Sequence, residues 1–117
     1  MKVVVKRAYE PAAPSDGYRV LVDRLWPRGV KKEDLKLDEW LKDVAPSDEL
    51  RQWFGHDPAK FEEFAKKYRL ELGKTDLTRG LLKRVGDMDR LTLVYSAKDE
   101  QHNQAMVLRD YLGNLTK

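Results

Sequence analysis

The order of segments in this chain predicts a small three-layer α/β fold with a mainly parallel sheet and helices on both faces. Three observations carry that expectation. Val20-Leu21-Val22 is a continuous aliphatic run that gives way abruptly to Asp23-Arg24-Leu25-Trp26, as a strand buried on both faces does where it leaves a sheet. Leu91-Thr92-Leu93-Val94-Tyr95 is a second run of the same kind, and amphipathic helical patterns lie between the two. A length of 117 residues suits one core and not two, so a single domain spanning 1–117 is expected.

Composition narrows the functional classes. Apolar residues make up 41% and charged residues 37%, which describes a folded domain with an ionic surface and not a disordered chain. The net charge of +3 arises from 23 basic and 20 acidic residues that are mostly interleaved, so no basic stripe of the kind that binds duplex nucleic acid is formed. The segment from Arg19 to Lys32 is the exception. It carries Arg19, Arg24, Arg28, Lys31 and Lys32 against Asp23 alone. With no cysteine there is no thiolate nucleophile, disulfide or cysteine-ligated metal, and His56 and His102 lack metal-ligand spacing. No metal or cofactor is therefore expected. No run approaches a membrane span and the first residues do not form a signal peptide, so no membrane partner and a cytoplasmic location are expected.

Taken in order, Val3 to Val5 reads as the first strand. Ala8 to Tyr18 contains Pro11, Pro14 and the Asp16-Gly17 turn signal; its length allows either a hairpin or a crossover. After the second strand, Trp26-Pro27-Arg28-Gly29 must be non-helical. Leu37, Trp40, Leu41 and Val44 recur at helical spacing and predict a short helix, with a strand over 37–44 as the alternative. Pro46-Ser47-Asp48-Glu49 opens a helix that buries Leu50, Trp53 and Phe54 and stops at Gly55. Asp57-Pro58 opens the next, whose stripe is Phe61, Phe64, Ala65, Tyr68 and Leu72. Thr75 or Asp76 opens a third that runs to Gly86. Beyond the last strand, Ser96-Ala97-Lys98-Asp99 has the pattern of a capping box, leading to a helix with Ala105, Leu108, Tyr111 and Leu112 inward and an end near Gly113.

If the strands are parallel, their carboxyl ends gather Arg7, Asp23, Arg24, Tyr95 and Ser96 on one rim, with Arg28 and Lys98 just beyond. Guanidinium groups match the forked geometry of phosphate and carboxylate, and the amino end of the last helix would add backbone donors. The structural alternative is an ion-pair network in which Asp23 holds Arg7, Arg24 or Arg28. Cationic neighbours of that kind would lower the Asp23 pKa. Trp26 either borders a pocket or plugs the gap between loop and sheet. Ser96 is more simply a helix cap than a nucleophile, and Asn103 stands at the expected exposed start of the last helix.

Lys6-Arg7-Ala8-Tyr9 and the run from Ser15 through Asp23-Arg24-Leu25-Trp26-Pro27-Arg28-Gly29 resemble the YeaO-like branch of the domain of unknown function 488 family. Ala45-Pro46-Ser47 with Leu50-Arg51, and Leu93 to Lys98 with Asn103, are similar to that branch in the same order. The resemblance covers nearly the whole chain. It implies a cytoplasmic α/β domain with the first two strands parallel. Many members of the wider family carry cysteine and histidine around the positions of Tyr95 and Asn103, so thiol chemistry does not transfer to this chain.

The expected function is binding of a small anionic, phosphate-bearing ligand by Arg7, Asp23, Arg24, Trp26, Arg28, Ser96, Lys98 and Asn103. The alternatives are a hydrolase or transferase using Asp23 with Tyr95 or Ser96, and a nucleic-acid or protein interaction module.

Overall fold

The computed structural model describes residues 1–116. Its strands are β1 (Lys2–Arg7), β2 (Tyr18–Leu21), β3 (Glu39–Trp40) and β4 (Arg90–Tyr95), and its helices are α1 (Lys32–Leu35), α2 (Asp48–Phe54), α3 (Phe61–Gly73), α4 (Leu77–Val85) and α5 (Gln104–Leu115). The strands form one sheet in the order β1-β4-β2-β3, every pair parallel. The segment between β1 and β2 is thus a crossover that leaves room for β4.

The period-two alternation of the strands divides the molecule into two unequal layers on either side of the sheet. Val20, Val22, Leu91, Leu93 and Tyr95 face a large core built with α2 to α5, where Phe54, Phe64, Tyr68, Leu81, Leu108 and Leu112 are buried. On the opposite face a small cluster of Ala8, Leu21, Leu35 and Val94 is covered by α1 and by the loop bearing Trp26 and Val30. Each fully buried side chain of the large core contributes roughly 1.5–3 kcal/mol, so most of the stabilisation lies on that side.

The thin face holds a polar knot in place of further apolar packing. Arg19, 4% exposed, donates from Nη1 to Asp16 Oδ2 at 2.7 Å and from Nε and Nη2 to the carbonyl of Leu35 at 3.1 and 2.8 Å. Lys6 Nζ lies 3.1 Å from Asp16 Oδ1, and Thr92 Oγ1 donates to the Asp16 carbonyl at 2.6 Å. Gly17 makes the approach possible: at φ +68° it lies so close to β4 that a Cβ would sit 2.2 Å from the carbonyl oxygen of Arg90.

Two expected elements differ. Over 37–44 the chain forms the two-residue strand β3 and then a 3₁₀ turn, Lys42–Val44, and not an α-helix. The backbone explains this, since Asp38 N–H donates to Arg19 O and Leu41 N–H to Leu21 O, extending the sheet past β2. The last helix starts at Gln104, not just after Ser96, and runs two residues past Gly113. Asp99 intervenes: its carboxylate accepts the N–H groups of Gln101 and His102, turning the chain before the helix can begin.

Asp16→Asn keeps the shape of the side chain and leaves Arg19 buried without its counter-ion. Urea unfolding at pH 7 is expected to show a loss of about 3–5 kcal/mol. Burial raises the pKa of Asp16, but the Ala13 amide, Lys6 and Arg19 outweigh it and hold the carboxyl below its ordinary value. Its contribution is therefore complete above the unfolded carboxylate range and fades as pH falls through the folded pKa. The gap between wild type and variant should narrow in acid; a gap that stays constant would remove the ion pair as its cause.

Candidate functional site

The carboxyl ends of β2 and β4 lie side by side, with Leu21 opposite Val94 and the Val22 N–H donating to Val94 O at 3.0 Å. Asp23 is the first polar residue beyond β2 and Ser96 the first beyond β4. Asp23 Oδ2 accepts the Ser96 N–H at 2.9 Å and the Ser96 hydroxyl at 2.6 Å, and Oδ1 accepts from Gln104 Nε2 at the start of α5. One carboxylate thereby joins two strand ends and a helix. Trp40 Nε1 donates to the Asp23 carbonyl at 2.8 Å and fixes the same loop from β3.

A cavity of about 400 Å³ opens over this junction. Asp23, Ser96, Ala97, Asn103 and Gln104 contribute from the strand exits and α5; Arg24, Leu25, Trp26 and Arg28 come from the loop after β2; Ala45, Pro46, Arg51, Phe54, His56 and Phe64 come from α2, α3 and the flanking turns. The position of α2 is set by its cap. Ser47 Oγ accepts the Leu50 N–H, while Glu71 of α3 accepts both the Ser47 N–H at 2.9 Å and its hydroxyl at 2.6 Å. Tyr68 adds a hydrogen bond to Val44 O at 2.6 Å. His56 follows Gly55 with both residues in the left-handed region, at φ +57° and +54°, which brings the imidazole to the cavity lining.

Of the eight expected ligand residues, Asp23, Arg24, Trp26, Arg28, Ser96 and Asn103 line the cavity, and Arg7 and Lys98 do not. Arg7 is engaged below, donating to Ala97 O at 2.9 Å and Ser96 O at 3.2 Å and stacking on Tyr9. Lys98 points from an exposed position on the loop. Trp26 is half-buried, donates to Val30 O at 2.7 Å and meets Trp40 edge-on at 5.5 Å, so it both plugs the thin face and borders the cavity. Asn103 is buried and not exposed: its Oδ1 accepts the Met106 N–H as the cap of α5, so that helix donor is already satisfied. Ser96 serves Asp23 and caps nothing. Tyr95 is 2% exposed in the large core, where burial pushes its phenol pKa up, and it does not reach the cavity.

The alternative reading, an ion-pair network around Asp23, is not met among the described residues. Among the described residues no lysine, arginine or histidine forms an ion pair with it. Its pKa is raised and not lowered, because burial outweighs the hydrogen bonds from Ser96 and Gln104. Arg24 turns the other way, donating from Nη2 to Pro46 O at 3.4 Å and bringing Nε to 3.7 Å from Asp48 Oδ1. That Nε is buried and has no hydrogen-bond partner. Arg51 also pairs with Asp48, and the Arg28 side chain makes no ion pair among the described residues. The lining residues not foreseen include Tyr9, Arg51, Phe54, His56, Phe64 and Gln104. Phe54 and Phe64 read as core because they also are core, and nothing in sequence separates Gln104 from an ordinary helix-start residue.

The fold and cavity together define a small parallel α/β domain with a mixed polar and apolar pocket outside the carboxyl ends of its strands. The chain belongs to the family described as the inactive DUF488-N3 subclade, which matches residues 2–117. It is 47% identical over 115 residues to the uncharacterized protein YeaO of Escherichia coli (strain K12), covering 98% of this chain and all of the relative. It is 43% identical over 112 residues to the uncharacterized protein Rv3073c of Mycobacterium tuberculosis (strain ATCC 25618 / H37Rv), covering 96% of this chain and 94% of the relative. No solved structure matches the chain significantly. Among the described residues, no helix is long and apolar enough to cross a membrane, and no group of three or more acidic, histidine or cysteine side chains could hold a metal.

The account of Asp23 is checked by its carboxyl titration, followed by carbon NMR. Ser96→Ala removes a donor to the charged form and should raise the Asp23 pKa further, whereas Arg24→Ala should leave it in place. An upward movement in the Arg24 variant would show that a guanidinium holds the carboxylate after all.

Proposed function

We propose that the chain acts in the cytoplasm as a single-domain, non-catalytic binding protein whose cavity takes a small anionic ligand, such as a phosphate monoester. The observation that carries this reading is the meeting of Arg24, Arg28, Arg51 and His56 on one cavity. Phosphate and carboxylate suit the guanidinium fork. The apolar lining from Phe54, Phe64, Pro46 and Trp26 fits a ligand that also carries a ring or hydrocarbon part, and about 400 Å³ lies in the usual range for small-molecule sites.

Binding is preferred to turnover for two reasons. The family carries the description inactive. Ser96 is hydrogen-bonded to a carboxyl whose other oxygen is also occupied, and Tyr95, the other partner considered for an acid–base role, lies in the core. A nucleic-acid or protein interaction module has less support, because the cations stand around a concavity and the rest of the surface has interleaved charge.

A thermal-shift screen of nucleotides, sugar phosphates and polyanions should raise the melting temperature for at least one phosphate-bearing compound, and Arg24→Ala should abolish the shift. No response to any anion would defeat the reading.

A further inference from the structure

The anion-binding reading leaves one group unexplained, and that group is the carboxylate at the same cavity. Asp23 is 9% exposed, yet all of its donors are neutral: the Ser96 amide, the Ser96 hydroxyl and the Gln104 side-chain amide. Buried charges in proteins are ordinarily paired. A carboxylate offers about four lone-pair sites, and three are filled, so Oδ1 retains one that no protein donor takes. The cations sharing the cavity do not supply it. Arg24 and Arg51 turn to Asp48, and neither Arg28 nor His56 pairs with Asp23. A metal ion is a poor substitute, since no cluster of three ligating side chains exists among the described residues.

The cavity therefore combines an Asp23 carboxyl that no cation pairs with and a lining that also holds Arg24, Arg28 and Arg51, with Phe54 and Phe64 among its apolar residues. We propose that its ligand is an amine-bearing anion, a small molecule whose ammonium group pairs with Asp23 while its carboxylate or phosphate meets Arg24 and Arg28. This rests on the anion-binding reading and adds the second charge. The ligand class is that of amino acids and aminoalkyl phosphates, as opposed to simple phosphate esters. Asp23 in this role selects the ligand. Ionised Asp23 attracts the ammonium and repels a second anion, so the same residue would exclude ligands with negative charge at both ends.

Matched probes separate the two layers of the argument. Affinities at pH 7.5 would be measured by calorimetry for ethyl phosphate against 2-aminoethyl phosphate, and for 3-phenylpropionate against phenylalanine and 2-phenylethylamine. In at least one series the probe with both charges should bind about tenfold or more tightly than its anion-only partner. Asp23→Asn should erase that preference. The comparison on the wild-type chain stands by itself should the variant fail to fold. Equal affinity for the amino and plain anions would overturn the amine assignment and leave the anion site intact. Equal affinity for 2-phenylethylamine and phenylalanine with no binding of either phosphate probe would overturn the anion site and with it the amine-bearing anion, and no binding of any probe would overturn both.

Discussion

The carboxylate of Asp23 is the constraint on which the rest of the site depends. It stands where β2 ends, and its hydrogen bonds reach the residue that ends β4 and a side chain in the first turn of α5. Without that bridge the Ser96–Asn103 loop would be held at this end mainly by Arg7, which grips the carbonyls of Ser96 and Ala97 from β1. Three strand exits are thus joined by side chain to backbone contacts. The cavity floor is thereby tied together by part-buried contacts of 2.6–3.2 Å from Arg7 and Asp23. The cost is a charge kept in a poorly solvated place, visible as an upward shift of its pKa.

Much of this was legible in the sequence. Strand runs such as Val20-Leu21-Val22 and Leu91 to Tyr95 are long enough, and sufficiently free of helical periodicity, to declare both a buried sheet and its exits. Ser47 caps α2, Gly55 and Gly86 end α2 and α4, and Asp57 caps the 3₁₀ turn Pro58–Lys60 that leads into α3, so local signals of that sort survive folding. The failures were of another kind. Leu37, Trp40, Leu41 and Val44 have helical spacing, but hydrogen bonds to the far edge of β2 decide their conformation, and a one-dimensional pattern has no term for that edge. Ser96 looked like a cap, and for Asn103 the sequence left open an amide aimed at the rim or a solvent-facing residue. Which of two polar residues caps α5 was settled by Asp99 folding the intervening loop.

The charge error is more instructive. An excess of basic residues near Asp23 in sequence suggested that the aspartate would be surrounded by cations, yet alternation along the chain sends neighbours apart. Arg19 points into the thin face, where Asp16 and the Leu35 carbonyl consume all its engaged donors. Arg24 reaches α2 and its Asp48, and Arg28 lies on the outer loop. Residues adjacent in sequence are therefore committed to three different parts of the molecule, and local net charge is not a measure of local potential.

The same separation leaves few polar groups free at the strand exits. A catalytic carboxyl must exchange a proton with a reacting group and a nucleophile must have a free path to it. Here the Ser96 hydroxyl is donated to Asp23, Tyr95 is packed beneath the floor among Leu93 and the helices, and Asn103 is occupied as a helix cap. Each polar group at the strand exits is already used to build the floor. Beyond these, Oδ1 of Asp23 keeps one acceptor position, and Arg24 and Arg28 share the cavity with Phe54 and Phe64. On the reading proposed above, those groups would recognise opposite charges on one small molecule, and the family is described as an inactive subclade.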